Sequence, residues 1–151
     1  MNKRLWFLML LIIPQSLLSQ QKEWTDEQKT IIQVVEKAYI GGIHNNGDLR
    51  ETEKGFHPGF DLLIKNQNQL EKLPIYTWIE RSKLRQINDP APPKIPMTCQ
   101  YDLIDITGPA AVTKIRLLKG EQLIFTDYLF LYKFEEGWRI VSKVYADHRV
   151  R

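Results

Sequence analysis

From Met97 onward the chain is cut by three turn pairs, Gly108-Pro109, Lys119-Gly120 and Glu136-Gly137, into four β-rich segments. Connections this short join antiparallel neighbours only, so the carboxy-terminal third is predicted to form a four-stranded meander. A meander needs an apolar cover on at least one face. With 43% hydrophobic and 26% charged residues, the composition suits a globular chain and excludes collagen, coiled-coil and disordered classes. A chain of 151 residues fits one domain, burying roughly 70% of the surface its unfolded form exposes.

The cover lies upstream. Thr25-Asp-Glu-Gln28 has the form of a capping box, and Ile31, Ile32, Val34, Val35, Ala38 and Tyr39 recur at helical spacing up to a stop at Gly41-Gly42. Asn45-Asn46-Gly47 reads as a turn, with Asp48 and Glu51 capping a short second helix to about Gly55. Pro58 drives His57 into an extended conformation, and Phe60, Leu62 and Ile64 alternate with Asp61 and Lys65 as in a short strand. A second capping box, Thr77 to Glu80, opens a third helix to about Ile87, and the four prolines of NDPAPPKIP exclude a helix over residues 88–96. The fold class is therefore α+β, with three N-terminal helices packed on one face of an antiparallel sheet.

Both faces of FTDYLFLYKFEEGWRIVSKVY are apolar. A loop over Glu135 to Gly137 sets Phe134 opposite Trp138, Tyr132 opposite Ile140, Phe130 opposite Ser142 and Tyr128 opposite Val144. This more aromatic side is expected to seat the helices, each large side chain contributing about 1.5–3 kcal/mol on burial. Asp127, Leu129, Leu131, Lys133, Val141, Lys143 and Tyr145 then form the other face, a candidate homodimer interface. A two-residue turn at Glu136-Gly137 would swap the faces of the last strand.

The first 19 residues stand apart. Lys3 and Arg4, an apolar run from Leu5 to Ile13, Pro14 and a small Ser19 lay out a secretory signal. The expectation is a signal peptide over 1–19 and a domain over 20–151, periplasmic or secreted and without a membrane span once the signal is removed. Loss of Lys3 and Arg4 from the 21 basic residues leaves 19 against 18 acidic ones, a net charge of +1. That balance lacks the basic footprint of a nucleic-acid binder. A lone Cys99 forms no internal disulfide, so the core alone must hold an exported chain together.

The closing FTDYL, followed by Trp138, Ile140, Val141, Lys143 and Val144, together with Tyr39, Asp48, Phe56, His57 and Trp78, resembles the putative lumazine-binding family of the nuclear-transport-factor-2-like superfamily. The resemblance spans roughly residues 25–147. It implies a cone-shaped, cystatin-like roll, a curved antiparallel sheet wrapped round the helices with an open mouth, in a molecule that is usually dimeric. It implies little about chemistry, because the superfamily includes isomerases, dehydratases, cyclases and inert binders.

His57 and Asp127 are the candidate acid-base pair. An imidazole at the mouth of an apolar cone transfers protons near neutrality, and a carboxyl embedded in aromatic sequence has its pKa raised. The alternatives are a loop histidine that caps the backbone and an Asp127 paired with Lys143 or Lys114. Tyr39, Phe56, Trp78, Tyr101 and Tyr128 are candidate pocket walls for a small hydrophobic or aromatic molecule. His44, His57 and His148 share no ligand spacing, so no metal is expected, and no cofactor motif is present. The function read from these residues is an exported, non-catalytic small-molecule-binding domain, with an isomerase, dehydratase or cyclase as the alternative.

Overall fold

The computed structural model describes residues 23–149, and the signal segment expected over 1–19 lies outside them. The helical cover begins with α1 (Asp26–Val34), opened by the Thr25–Gln28 capping box, in which each side chain bonds the other's backbone N–H. The helix does not stop at Gly41-Gly42 as its sequence suggests. It widens into a π-helix, Val35–His44, whose tenth residue lies beyond both glycines. A turn follows in which the amides of Asn45 and Gly47 both donate to the Gly41 carbonyl, before α2 (Leu49–Gly55), capped by Asp48.

Glycine lets α2 lie close against the π-helix. A Cβ on Gly55 would stand 2.3 Å from the Ala38 Cβ, and one on Gly42 would stand 1.9 Å from the Thr52 Oγ1. That buried hydroxyl is satisfied by donating to the Ala38 carbonyl at 2.8 Å.

The hairpin β1 (Phe56–Asn66) and β2 (Gln69–Pro74) then interrupts the helices, so the three are not grouped ahead of the sheet. The strand expected around Phe60 to Ile64 is thus twice as long and has a partner that the sequence pattern did not indicate. Helix α3 spans Ile75–Asn88 and starts two residues before the expected capping box. Pro74 is its N-cap and makes no side-chain hydrogen bond at that end, since its ring carries no polar atom. The meander follows as β3 (Met97–Thr107), β4 (Ala110–Lys119), β5 (Gln122–Phe134) and β6 (Gly137–Asp147).

The six strands form one sheet in the order β2-β1-β6-β5-β4-β3. It is not purely antiparallel, since β1 runs parallel to β6. Register shifts interrupt the β1–β6, β3–β4, β4–β5 and β5–β6 pairings. Each such bulge bends its strand and raises the local twist, which curls the sheet round the helices.

The shift between β5 and β6 also decides which face is inside. Phe134 pairs with Gly137, leaving a two-residue loop, so Tyr132 meets Arg139 rather than Ile140. A bulge at Val141 then restores the expected pairs Phe130–Ser142 and Tyr128–Val144. The expected faces are inverted for β5 and for β6 beyond the bulge, whereas Trp138 and Ile140 lie under the helices as expected. Leu129, Leu131, Trp138 and Ile140 are buried with Ile31, Val35, Tyr39 and Ile43 of the helical layer, whereas Tyr128, Phe130 and Tyr132 are 39%, 43% and 51% exposed. The face assigned to a homodimer therefore lies under the helices. Aromatic rings tolerate water at their polar or edge positions, but Leu129 and Leu131 have no such option.

Candidate functional site

Where the helical layer meets the inner sheet face, four polar side chains come together, Tyr39, Asp127 and Lys143 buried and His44 half-buried. Two come from the π-helix. Tyr39 and His44 are five residues apart, one turn of a helix with i→i+5 bonding, so their rings meet edge to face at 4.7 Å. In a regular α-helix that spacing would splay them apart.

The other two come from adjacent strands. Asp127 on β5 lies opposite Tyr145, and Lys143 on β6 opposite Leu129, a diagonal pair pointing inward. The Lys143 Nζ stands 3.1 Å from Asp127 Oδ2, and the Tyr39 phenol donates to the same oxygen at 2.6 Å. Asp127 and Tyr39 are fully buried and Lys143 is 4% exposed. The ammonium is boxed by four rings, with Tyr145 at 4.5 Å, Tyr39 at 5.2 Å, Phe125 at 5.7 Å and Trp78 at 5.8 Å from centroid.

Burial sets the electrostatics here. Desolvation raises the Asp127 pKa, against the attraction of Lys143, and lowers that of Lys143 against the attraction of Asp127. The charged pair and its neutral form, with the proton on Asp127, are thus drawn closer in energy. Tyr39 is raised well above the usual phenol value, by burial and then by the neighbouring carboxylate, so it remains a donor. His44 is pushed down to about 3, by desolvation first and then by Lys143 and Arg85. Two buried polar atoms among the described residues make no hydrogen bond, His44 Nε2 and Asp127 Oδ1, and both belong to this cluster.

A groove approaches the cluster from outside. It encloses about 360 Å³ between α2, β1 and α3, with Phe56, Pro58, Ile75, Tyr76 and Ile79 as apolar walls and Glu53, Glu80 and Lys83 among its lining. Phe56 connects the two regions. It lines the groove and meets Tyr39 edge to face at 6.2 Å and Trp78 at 6.3 Å.

Of the residues singled out from sequence, Tyr39, Trp78 and Asp127 meet in the cluster and Phe56 forms its partition from the groove. Tyr101 is tied elsewhere, donating to Glu36 Oε1 at 3.0 Å. Tyr128 lies on the outer face, with the Lys114 Nζ 6.0 Å above its ring. His57 and Asp127 are not brought together. His57 Nδ1 accepts the Gly59 amide at 3.0 Å, and its ring stacks on Phe134 at 4.8 Å, seven residues or about 23 Å along β5 from Asp127. Cys99 carries a thiol pushed up to about 12 by burial, which makes it a poor nucleophile. Among the described residues no group of three His, Cys, Asp or Glu side chains is placed to hold a metal, and no helix is long and apolar enough to cross a membrane.

His44 is the member that sequence reasoning did not place, whereas Lys143 was expected as an alternative ion-pair partner of Asp127, and the structure has that pair. The signal for Lys143 was its parity, because it shares the inward side of the hairpin with Asp127.

The architecture defines the class, a curved six-stranded sheet enclosing a helical layer. Solved structures share it: a nuclear-transport-factor-2-like protein of unknown function from Shewanella baltica at 25% identity, with 85% of this chain and 99% of that one covered and a TM-score of 0.64. A second, from Silicibacter pomeroyi, has 19% identity, 83% and 100% coverage and a TM-score of 0.63. A domain with a cystatin-like fold from Nostoc punctiforme has 12% identity, 84% and 81% coverage and a TM-score of 0.55. Residues 26–146 match the putative lumazine-binding family, and the chain belongs to it. No curated protein matches the chain.

Proposed function

We propose that this domain binds a small, flat, hydrophobic or heteroaromatic molecule in the groove between α2, β1 and α3 and releases it unchanged. The observation that carries this reading is the groove itself, about 360 Å³ with three aliphatic walls and two aromatic ones. Sites of this size with apolar walls and a few charged groups suit ring systems. The family name points the same way, towards a pteridine-type ring.

Lumazine and other bicyclic heteroaromatics should raise the melting temperature by several degrees at about 100 Kd, where binding stabilises the fold by about 2.7 kcal/mol. Tyr76 is exposed, so Tyr76→Ala should leave the fold intact and weaken binding roughly threefold to tenfold through loss of ring contact. Binding unaffected by this change would place the ligand elsewhere.

The same proposal covers export and assembly. The charged, apolar and small-residue succession of residues 1–19 supports secretion to the periplasm or beyond. The outer sheet face, where Tyr128, Phe130, Tyr132 and Leu103 are exposed, supports a homodimer packed through β5. Light scattering should give twice the mass of the processed chain, and Phe130→Glu should halve it. A wild-type monomer at high micromolar concentration rules the dimer out.

A further inference from the structure

Lys143 is the only lysine buried among the described residues, and the groove reading gives its burial no task. The environment is that of an amine kept for chemistry. One carboxylate oxygen stands 3.1 Å from it, a phenol holds that oxygen from the other side at 2.6 Å, and aromatic rings close the remaining directions. An amine bonded to a single carboxylate in an apolar box can pass its proton to that partner and present a lone pair, as lysines that form Schiff bases must. Burying a charged pair for stability alone is a poor use of the position, because an apolar pair of the same volume often does as well.

We propose that Lys143 forms a covalent imine with an aldehyde or ketone ligand, Asp127 shuttling the protons and Tyr39 positioning Asp127. The ligand class rests on the groove reading above, and the proposal requires Phe56, which lines the groove, and Trp78 beside it to turn aside so that a carbonyl meets Nζ. Trp78 is 5.8 Å from Nζ and 6.3 Å from Phe56.

The step balances without an oxidant or reductant. Lys143 first gives a proton to Asp127, and the neutral amine adds to the carbonyl carbon as the C=O π-bond breaks. A proton moves from nitrogen to oxygen to give the carbinolamine. The Asp127 proton then goes to that hydroxyl, which leaves as water while nitrogen and carbon form the double bond. The product is a protonated imine beside the Asp127 carboxylate, so the ion pair is restored. The lowered pKa of Lys143 and the raised pKa of Asp127 both favour the first transfer. The groups facing Nζ are Asp127, Tyr39 and Tyr145, with His44 near enough to be depressed by it. His44 stays neutral in the range tested below.

The folded protein, incubated at pH 6.5 with 2-naphthaldehyde and cyanoborohydride and then digested, reports the position of every trapped amine by mass. At that pH a free lysine amine in a model peptide, with a pKa of about 10.4, is protonated and adds slowly to a carbonyl. Lys143 should be labelled at least tenfold faster than the exposed Lys37 and Lys94, and the preference should vanish in concentrated urea. Asp127→Asn should slow trapping at Lys143 tenfold or more, and Tyr39→Phe, the milder change, several-fold. Labelling of Lys143 no faster than that of Lys37 overturns the proposal. The unreactive twin, 2-naphthalenemethanol, separates the two readings. A thermal shift with the alcohol but no Lys143 adduct removes the imine and leaves the groove. An adduct whose rate Tyr76→Ala leaves unchanged keeps the imine and removes the groove.

Discussion

Asp127→Ala should lower the unfolding free energy by about 3–5 kcal/mol, among the largest single-site losses this chain can show, because it strands the Lys143 amine in an aromatic box without its acceptor. The double variant Asp127→Leu/Lys143→Met should recover to the wild-type value or above it. It exchanges the pair for apolar volume and removes the desolvation of both charges. Urea unfolding of the wild type, Asp127→Leu, Lys143→Met and the double variant closes the cycle, with Asp127→Ala measured beside them. A single-variant loss below about 1 kcal/mol would mean that the pair is not buried in solution as it is here.

Acid should destabilise the fold through His44. Its folded-state pKa is depressed to about 3 from an ordinary 6.5, so its contribution is complete above pH 6.5 and is lost as pH falls towards 3. Between pH 7 and pH 4 the loss is at most about 3 kcal/mol, less for a ring that is half-buried, since each tenfold difference in proton affinity between the folded and unfolded chain is worth about 1.4 kcal/mol. Asp127 acts in the opposite sense. A carboxyl raised on folding favours the native state at low pH and costs stability as pH rises through its folded value, so it does not produce the acid loss. His44→Phe keeps a ring against Tyr39 and should flatten the profile across this range. Equal acid slopes for wild type and variant would refute the assignment.

Local features of the fold were readable from the chain. The Thr25–Gln28 and Asp48 caps, the proline-rich connection and the three meander turns are decided by neighbours in sequence, and the structure has them. The inward placing of Trp138 and Ile140 was readable, whereas the inversion of β5 and of β6 beyond its bulge was not. It depends on a loop one residue shorter than expected and on a bulge at Val141 that restores the register, and each alone moves side chains across the sheet. The π-helix was hidden because Gly41-Gly42 reads as a stop, whereas the chain there winds through with the wider turn that sets His44 beside Tyr39.

The candidate site divides in the same way. Tyr39, Trp78 and Asp127 were visible as aromatics and an acid in apolar surroundings. Lys143 was legible only as one of two possible partners of Asp127, and the diagonal placement across a bulged hairpin decides for it over Lys114. His44 had no companion until the π-helix supplied one.

Strand β6 is an interior strand of the sheet, with β1 on one side and β5 on the other. Until β6 is in place, the first hairpin and the other three meander strands are separate fragments with unpaired edges. The parallel pairing of β1 with β6 bridges most of the chain, which slows folding and prolongs exposure of the strands. Loss of this strand therefore parts the first hairpin from the rest of the sheet.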